Sequence, residues 1–369
     1  MSLLAQLRGV GALVGRNLRI ARRRPDLLVQ TMAVPVVVVG LASVIFGATD
    51  AWPVAVVDRA DSPASHRVVA AIEDVSGATG PYFRVVETDP ARAGRLVEDG
   101  RLHLVVTIPA EFDTSRTLET TTFNINTDAM KNVRLRLSAA ANAVDAQADT
   151  DVRATIDKAK AQDVTRTAFM GASAVILALL LGAALLSANV YAVETEHRTT
   201  KELALSPLGH HVAGVGAALT GWVLTWATAV PTALVALALG TRVDARQVLL
   251  AALVVAPASL AAAGVGVWVA ARLRVHRAIQ PTIILVAIGS YFASGGFVPV
   301  PGLPPLARAL ATWWPPSYVF EWANPVLHGF RDAPSAGALV AVGAAAALGV
   351  VLAARAAQRD LRRSHAQGQ

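Results

Sequence analysis

The chain of 369 residues contains no cysteine, which excludes a disulfide-stapled scaffold, a thiolate zinc site and a thiol nucleophile. Charge is scarce as well, at 16% of residues against about 25% in soluble domains, so there is too little polar surface to cover two or three water-exposed domains. Neither a Gly-rich loop ending in Gly-Lys-Ser/Thr, nor His-Glu-x-x-His, nor Gly-x-Ser-x-Gly occurs, so no nucleotide cradle, zinc protease helix or serine nucleophile elbow is written in the chain. The eight histidines are scattered, and the His210-His211 pair, lacking a third ligand nearby, reads as an interface anchor. No catalytic residue, cofactor site or metal site is expected in this chain.

What is present is apolar: 54% of residues are hydrophobic. Between successive Asp, Glu, Lys and Arg lie six long uncharged runs, at 27–49, 167–193, 203–241, 247–271, 278–307 and 333–354. A helix crosses a bilayer with about 20 apolar residues, and a charge at its centre costs roughly 2.5–3.5 kcal/mol, so each run is read as one span. Within 203–241 the span is placed at about 211–240, after a short helix that does not cross. The expected fold is therefore a mainly α membrane protein of six transmembrane helices.

The charges are sorted along the chain. Residues 50–168 hold 14 basic and 18 acidic side chains, whereas the remainder holds 19 and 8. This pattern argues against nucleic acid as the partner of a basic protein. Fifteen of the basic residues flank the spans on one alternating side: Arg8, Arg16, Arg19, Arg22, Arg23 and Arg24, then Arg198 and Lys201, then Arg272, Arg274 and Arg277, and finally Arg355, Arg359, Arg362 and Arg363. Only Arg242, Arg246, Arg308 and Arg331 occupy the short loops opposite. The positive-inside bias thus places both termini in the cytoplasm of a multi-pass chain in the plasma membrane, and the block after the first span outside.

Residues 3–24 carry Leu3, Leu7, Val10, Val14, Leu18 and Ala21 on one helical stripe with arginines opposite, as expected of a helix lying in the membrane interface. The domain plan is an interface helix over 1–26, a first span over 27–49, an external α/β domain over 50–166, five further spans over 167–355 and a basic tail over 356–369. In the external block, strands are read at 52–58, 82–86, 102–108 and 120–125 and helices at 62–75 and 89–98, with at least one parallel strand pair. A long helix is expected over 128–162, its stripe of Val133, Leu137, Ala141 and Val144 packing on its own domain or on a second subunit.

Residues 194–208 (ETEHRTTKELALSPL) form a short, patterned connector on the predicted cytosolic side. Glu194 and Glu196 open it, and Lys201 and Glu202 are exposed. Leu203, Ala204 and Leu205 make an apolar tip before Pro207 ends the helix. Such a tethered helix suits docking on a cytosolic partner, and a merely solvated loop is the alternative.

Glu194, Glu196, Thr200, Glu202, Leu203 and Pro207 together resemble the cytosolic coupling segment of the type-2 ABC exporter permease family, in which a Glu-x-Glu and a Thr precede a Leu-rich turn and a Pro. Residues 54–73 are similar to that family's strand, Ser-x-x-Ser and helix element. Gly100, Val106, Ile108, Pro109 and Phe112 are similar to its Gly, Val-x-Ile-Pro-x-x-Phe element. Pro35 and the proline-rich 299–316 also fit. The resemblance implies a permease subunit that works as a homo- or heterodimer with a separate ABC ATPase subunit, which alone binds ATP and Mg. It implies export of hydrophobic or amphipathic substrates from a bacterium, as in multidrug efflux. Glu194, Glu196, Arg198, Thr200, Lys201, Glu202 and Leu205 would couple to that ATPase. Trp313, Trp314, Tyr318, Glu321 and Trp322, after the fifth span, would form an exit gate at the outer interface, where amphipathic aromatics also serve simply as a belt among membrane lipid. A receptor with an external ligand-binding domain is the alternative class.

Overall fold

The computed structural model describes every residue except 1–2, 47–50, 78–79, 99–101, 103, 123–135, 141–163, 165, 197–210, 274–275, 301–302, 304 and 367–369. It divides into two compact units, 1–46 with 164–369, and 47–163 inserted between them in sequence.

The larger unit is helical: α1 Leu3–Arg22, α2 Pro25–Phe46, α6 Arg166–Glu196, α7 His211–Thr228, α8 Val230–Ala238, α9 Ala245–Leu273, α10 His276–Ala293, α11 Pro305–Trp313, α12 Pro315–Leu327 and α13 Ala336–Ala366. Five stretches are long and apolar enough to cross a membrane, at Pro25–Val44, Arg166–Thr195, His211–Ala238, Ala245–Leu273 and Ala336–Arg359. The uncharged run 278–307 is not one long helix. Helix α10 ends at Ala293, so its apolar part, Arg277–Ala293, falls at the short end of what spans a bilayer. Gly295, at φ +90°, takes a left-handed conformation that Leu or Val resists, and the chain turns there into α11 and α12.

Helix α6 is the centre of this unit. More than three-quarters of its most apolar stretch is buried, against about a fifth for α2 and α13. It packs on α2, α7, α8, α9 and α10, while α13 packs on α9. Apolar tails would give these helices no reason to leave lipid, so close contact depends on small residues that let backbones approach. Gly221 lies against the backbone of Ser187, and Gly264 lies against that of Gly349. Polar side chains lock the crossings: Ser187 Oγ donates to Ala263 O at 2.7 Å, Thr225 Oγ1 to Leu179 O at 3.0 Å, and Trp222 Nε1 to Ala256 O at 2.9 Å.

The path from α7 to α8 breaks at Ala229, two residues before Pro231, which has no N–H to continue the ladder. Helix α8 ends in a left-handed cap at Gly240 (φ +89°), where the Gly240 N–H donates to Leu237 O and the Thr241 N–H to Ala236 O, both at 3.0 Å. This cap aims Thr241 back at α6, and Thr241 Oγ1 donates to Ala168 O at 3.0 Å.

The inserted unit has a four-stranded sheet in the order β4 (Phe83–Glu87), β1 (Trp52–Asp58), β5 (Leu104–Ile108), β6 (Glu119–Thr122), with β2 (Ser76–Gly77) and β3 (Gly80–Pro81) as a separate pair. Strand β1 runs parallel to both β4 and β5, and β6 runs antiparallel to β5. Both faces are covered, which explains the unbroken apolar run VAVV in the central strand. Val54 and Val56 pack with Val68 and Ile72 of α3 (Pro63–Asp74), and Ala55 and Val57 pack with Ala93 and Val97 of α4 (Pro90–Glu98). Ser62 and Ser65 cap α3 reciprocally, Pro63 occupies its first turn, and Ser65 Oγ donates to Asp58 Oδ2 at 2.6 Å, tying the helix start to the strand end. Phe112 of the short helix α5 (Phe112–Ser115) closes the α3 side. Of the long helix expected over 128–162, only 136–140 lies within the described residues; there Leu137 and Ala140 pack into the unit's own core.

Candidate functional site

Two ends of α6 gather the polar side chains of the helical unit. At the Glu196 end, the Glu194 carboxylate is buried, with 6% of the residue exposed, and forms an ion pair with the Arg16 guanidinium of α1. Arg16 also donates to the Asn17 Oδ1 from Nε at 3.2 Å and from Nη2 at 3.1 Å, and Asn17 is itself buried. A buried carboxylate is tolerated only when paired and hydrogen-bonded, so the guanidinium pins the start of the 194–208 connector to α1. Of the coupling residues expected from the sequence, Glu194 is therefore turned inward onto α1. Glu196 is the last residue of α6, and Arg198, Thr200, Lys201, Glu202 and Leu205 lie outside the described residues, as does the short helix expected before 211.

Slightly deeper, Gln30 Nε2 of α2 donates to Gln280 Oε1 of α10 at 2.9 Å, and Gln280 Nε2 donates to Asn189 Oδ1 of α6 at 3.2 Å. Three helices are thus joined by amides within charge-free runs. Sequence reasoning passed over them because it searched for charge, and amides break a run's hydropathy only weakly.

At the Arg166 end of α6, Ser173 accepts from Asn324 Nδ2 of α12 at 2.9 Å, the Tyr291 hydroxyl of α10 donates to Met170 O at 3.2 Å, and the Arg166 guanidinium lies over the Phe297 ring at 5.3 Å. The His328 ring, just past α12, stacks on Phe169 with centroids 5.7 Å apart. The expected gate residues lie on α11, on α12 and, for Trp314, at the N-cap between them. Trp313 is almost fully exposed, Glu321 is exposed, and Trp314 Nε1 donates to Ser290 Oγ at 2.9 Å. The Tyr318 hydroxyl donates to Thr312 O at 2.7 Å, with its ring 5.5 Å from that of Trp322. Tyr318 and Trp322 are brought together by their one-turn spacing, whereas Trp313 and Glu321 face outward without a shared target among the described residues. Their mixture of apolar ring and polar edge is the chemistry of a membrane interface.

Burial pushes the His328 imidazole down to about 4. Its folded value lies below the unfolded value near 6.5, so the unfolded chain binds the extra proton between these pH values and stability falls as pH drops through that window. Thermal melts of the purified chain are expected to lose up to about 3 kcal/mol between pH 7 and pH 4 from this group. His328→Phe should flatten that part of the profile, and an unchanged profile would remove the burial argument.

Among the described residues no group of His, Asp and Glu side chains comes together as a metal site. Compared with known families, the chain matches the sequence pattern described as ABC-2 family transporter protein over residues 26–355. No curated protein and no solved structure matches it.

Proposed function

The chain belongs to the ABC-2 family of transporter proteins, a family of multi-pass membrane transport components that generally lack ATPase activity of their own, and from that premise we propose that it is the permease subunit of an ATP-driven exporter. It crosses the plasma membrane six times with both termini cytoplasmic, α10 being the fifth and shortest span, and the inserted α/β unit lies outside. Two such subunits, identical or not, assemble with two separate ATPase subunits that bind ATP and Mg. The cargo is hydrophobic or amphipathic, a drug or lipid-like molecule.

The observation that carries this reading is the family match across 26–355, which takes in the first span, the inserted unit, the connector and the greater part of the last helix. The Arg16–Glu194 pair supports it, because a connector that transmits force must be braced where it leaves the membrane. In this mechanism closure of the ATPase pair pushes on 194–208 through Glu196, Arg198, Thr200, Lys201, Glu202 and Leu205. Glu194 passes the displacement to α1 and α6, and α6 carries it to Ser173, Asn324 and the aromatics of α11 and α12. Two-state repacking of such an assembly couples the distant sites.

Affinity purification of the tagged chain should recover a protein carrying a Gly-Lys-Ser/Thr phosphate loop whose ATPase rate rises on reconstitution. Leu205→Asp should leave membrane insertion intact and abolish that stimulation. Undiminished stimulation and export would refute the coupling role of the connector.

A further inference from the structure

Helix α1 divides its surface three ways. Gly9, Leu13, Asn17 and Ala21, four residues apart, are buried, and α1 packs on α7 with Leu13 against Gly216. Beside that face runs an open apolar stripe: Leu4 is 67% exposed and Leu7 59%, and Val14 and Leu18 continue it half-buried. On the third side Arg8, Ala12 and Arg19 are exposed, as are Arg22 and Arg23 where the helix ends. A helix on a water-soluble surface needs one face for protein and one for water. A further apolar face is useful only where lipid meets it.

Three contacts fix the level of α1. Gly216 is the sixth residue of α7, the Arg16 partner Glu194 is two residues from the end of α6, and α2 starts at Pro25, three residues after α1 stops. At 1.5 Å per residue, these points lie within roughly 8 Å of the ends of three stretches long and apolar enough to cross a membrane. Helix α1 therefore sits where acyl chains give way to headgroups.

At this level the carboxylates of Glu194 and Asp26 are already paired with Arg16 and Arg24. Arg8, Arg19, Arg22 and Arg23 have no carboxylate within 4.0 Å among the described residues. The helix dipole favours Arg19 and Arg22 in the last turn, but Arg8 lies in the second, and Arg19 repels Arg22 and Arg23 at one-turn spacing. Anions held beside the helix relieve that repulsion, and acyl chains cover the stripe next to it. One class of molecule supplies both.

We propose that α1 is a binding helix for anionic phospholipid, with acyl chains along Leu4, Leu7, Val14 and Leu18 and headgroup phosphates held by Arg8, Arg19, Arg22 and Arg23. The inference requires only that α2, α6 and α7 cross a bilayer; it does not depend on coupling to an ATPase.

The test is native mass spectrometry of the full chain, delipidated and then re-exposed at low salt to mixed micelles of dioleoyl phosphatidylglycerol and dioleoyl phosphatidylcholine. Each arginine close to an anionic surface favours binding about fivefold, so the wild type should prefer phosphatidylglycerol by about tenfold or more. Arg8→Gln, Arg19→Gln, Arg22→Gln and Arg23→Gln combined should abolish the preference. Arg242→Gln with Arg246→Gln, at the other end of the α7–α8 path, should leave it intact. A preference untouched by the α1 changes, or lost equally in the control pair, would overturn the site. If the combined variant does not insert, the wild type decides the matter. Screening shortens from about 10 Å at 0.1 M salt to about 3 Å at 1 M, so the preference should collapse at the higher salt, and a salt-independent preference would overturn the headgroup contact. The stripe is checked in nanodiscs of the same lipids. The chain has no cysteine, so Leu7→Cys and Ala12→Cys each carry a single nitroxide label. The label at 7 should be relaxed chiefly by oxygen and that at 12 chiefly by a water-soluble nickel chelate, and equal responses would overturn the three-sided placement. Arginine changes that release a copurifying ATPase but keep the phosphatidylglycerol preference would assign the basic face to a protein partner and overturn the proposal. A lipid preference that persists while Leu205→Asp leaves ATPase stimulation unchanged would refute the coupling reading and leave the lipid site standing.

Discussion

Arg16→Ala is expected to cost the folded permease about 3–5 kcal/mol, the range seen when one partner of a buried ion pair is removed. The loss is lopsided. The Arg16 side chain is one-third exposed, so with Glu194→Gln the guanidinium turns to water and the amide keeps part of the hydrogen bonding. Without Arg16, the Glu194 carboxylate, 7% exposed at its side chain, is left in a low-dielectric site with its countercharge gone. Melting of the purified chain in nanodiscs should therefore rank wild type above Glu194→Gln and both well above Arg16→Ala. Adding Glu194→Gln to Arg16→Ala should recover a large share of the loss. A melt in which Arg16→Ala costs no more than Glu194→Gln would show that the pair contributes no more than a surface contact.

Gly264→Leu is expected to remove the folded protein from the membrane. A Cβ on Gly264 would stand 2.6 Å from the Cα of Gly349, and one on Gly349 would stand 2.6 Å from the Cα of Ala261, so the two helices touch backbone to backbone. Neither neighbour is the movable end of a side chain. Even Gly264→Ala forces α9 and α13 apart, at about 1–3 kcal/mol for an overpacked site, and leucine adds three carbons where there is no volume. Gly289, with nothing within 4 Å of its would-be Cβ, is the control, and Gly289→Ala should accumulate and melt like the wild type. Membrane levels and monodispersity after detergent extraction check both. Normal accumulation of Gly264→Leu would mean that the α9–α13 crossing is looser than described.

Much of this architecture is legible in the sequence because hydropathy and charge act locally. A run free of charge cannot face water over 20 residues, and a strand covered on both faces cannot carry polar residues. The spans and β1 at Trp52–Asp58 follow from those two constraints. The run at 278–307 misleads for the same reason. Absence of charge marks where a helix is permitted in lipid and says nothing of where it stops, and the stop at Ala293 comes from the left-handed Gly295.

The sites were less legible. Glu194 stood out as the first acid of a charged connector, and nothing in its neighbours indicates that it points back to an arginine 178 residues earlier. Asn324 and Ser173, 151 residues apart, are ordinary helix residues until α12 is laid against α6. Leu13 reads as one more apolar residue of a two-sided interface helix, and the third face of α1 is defined only once Gly216 of α7 lies against it.

The sequence by itself determined that this is a multi-pass membrane chain with an inserted α/β unit and a patterned connector, because burial in lipid and strand or helix periodicity are properties of consecutive residues. Tertiary structure alone decided which carboxylate is spent internally on Arg16, which amides join α2, α6 and α10, and which face of α1 is spent on α7. Those outcomes depend on the approach of helices separated by tens to hundreds of residues, and backbone contact between small residues sets that approach.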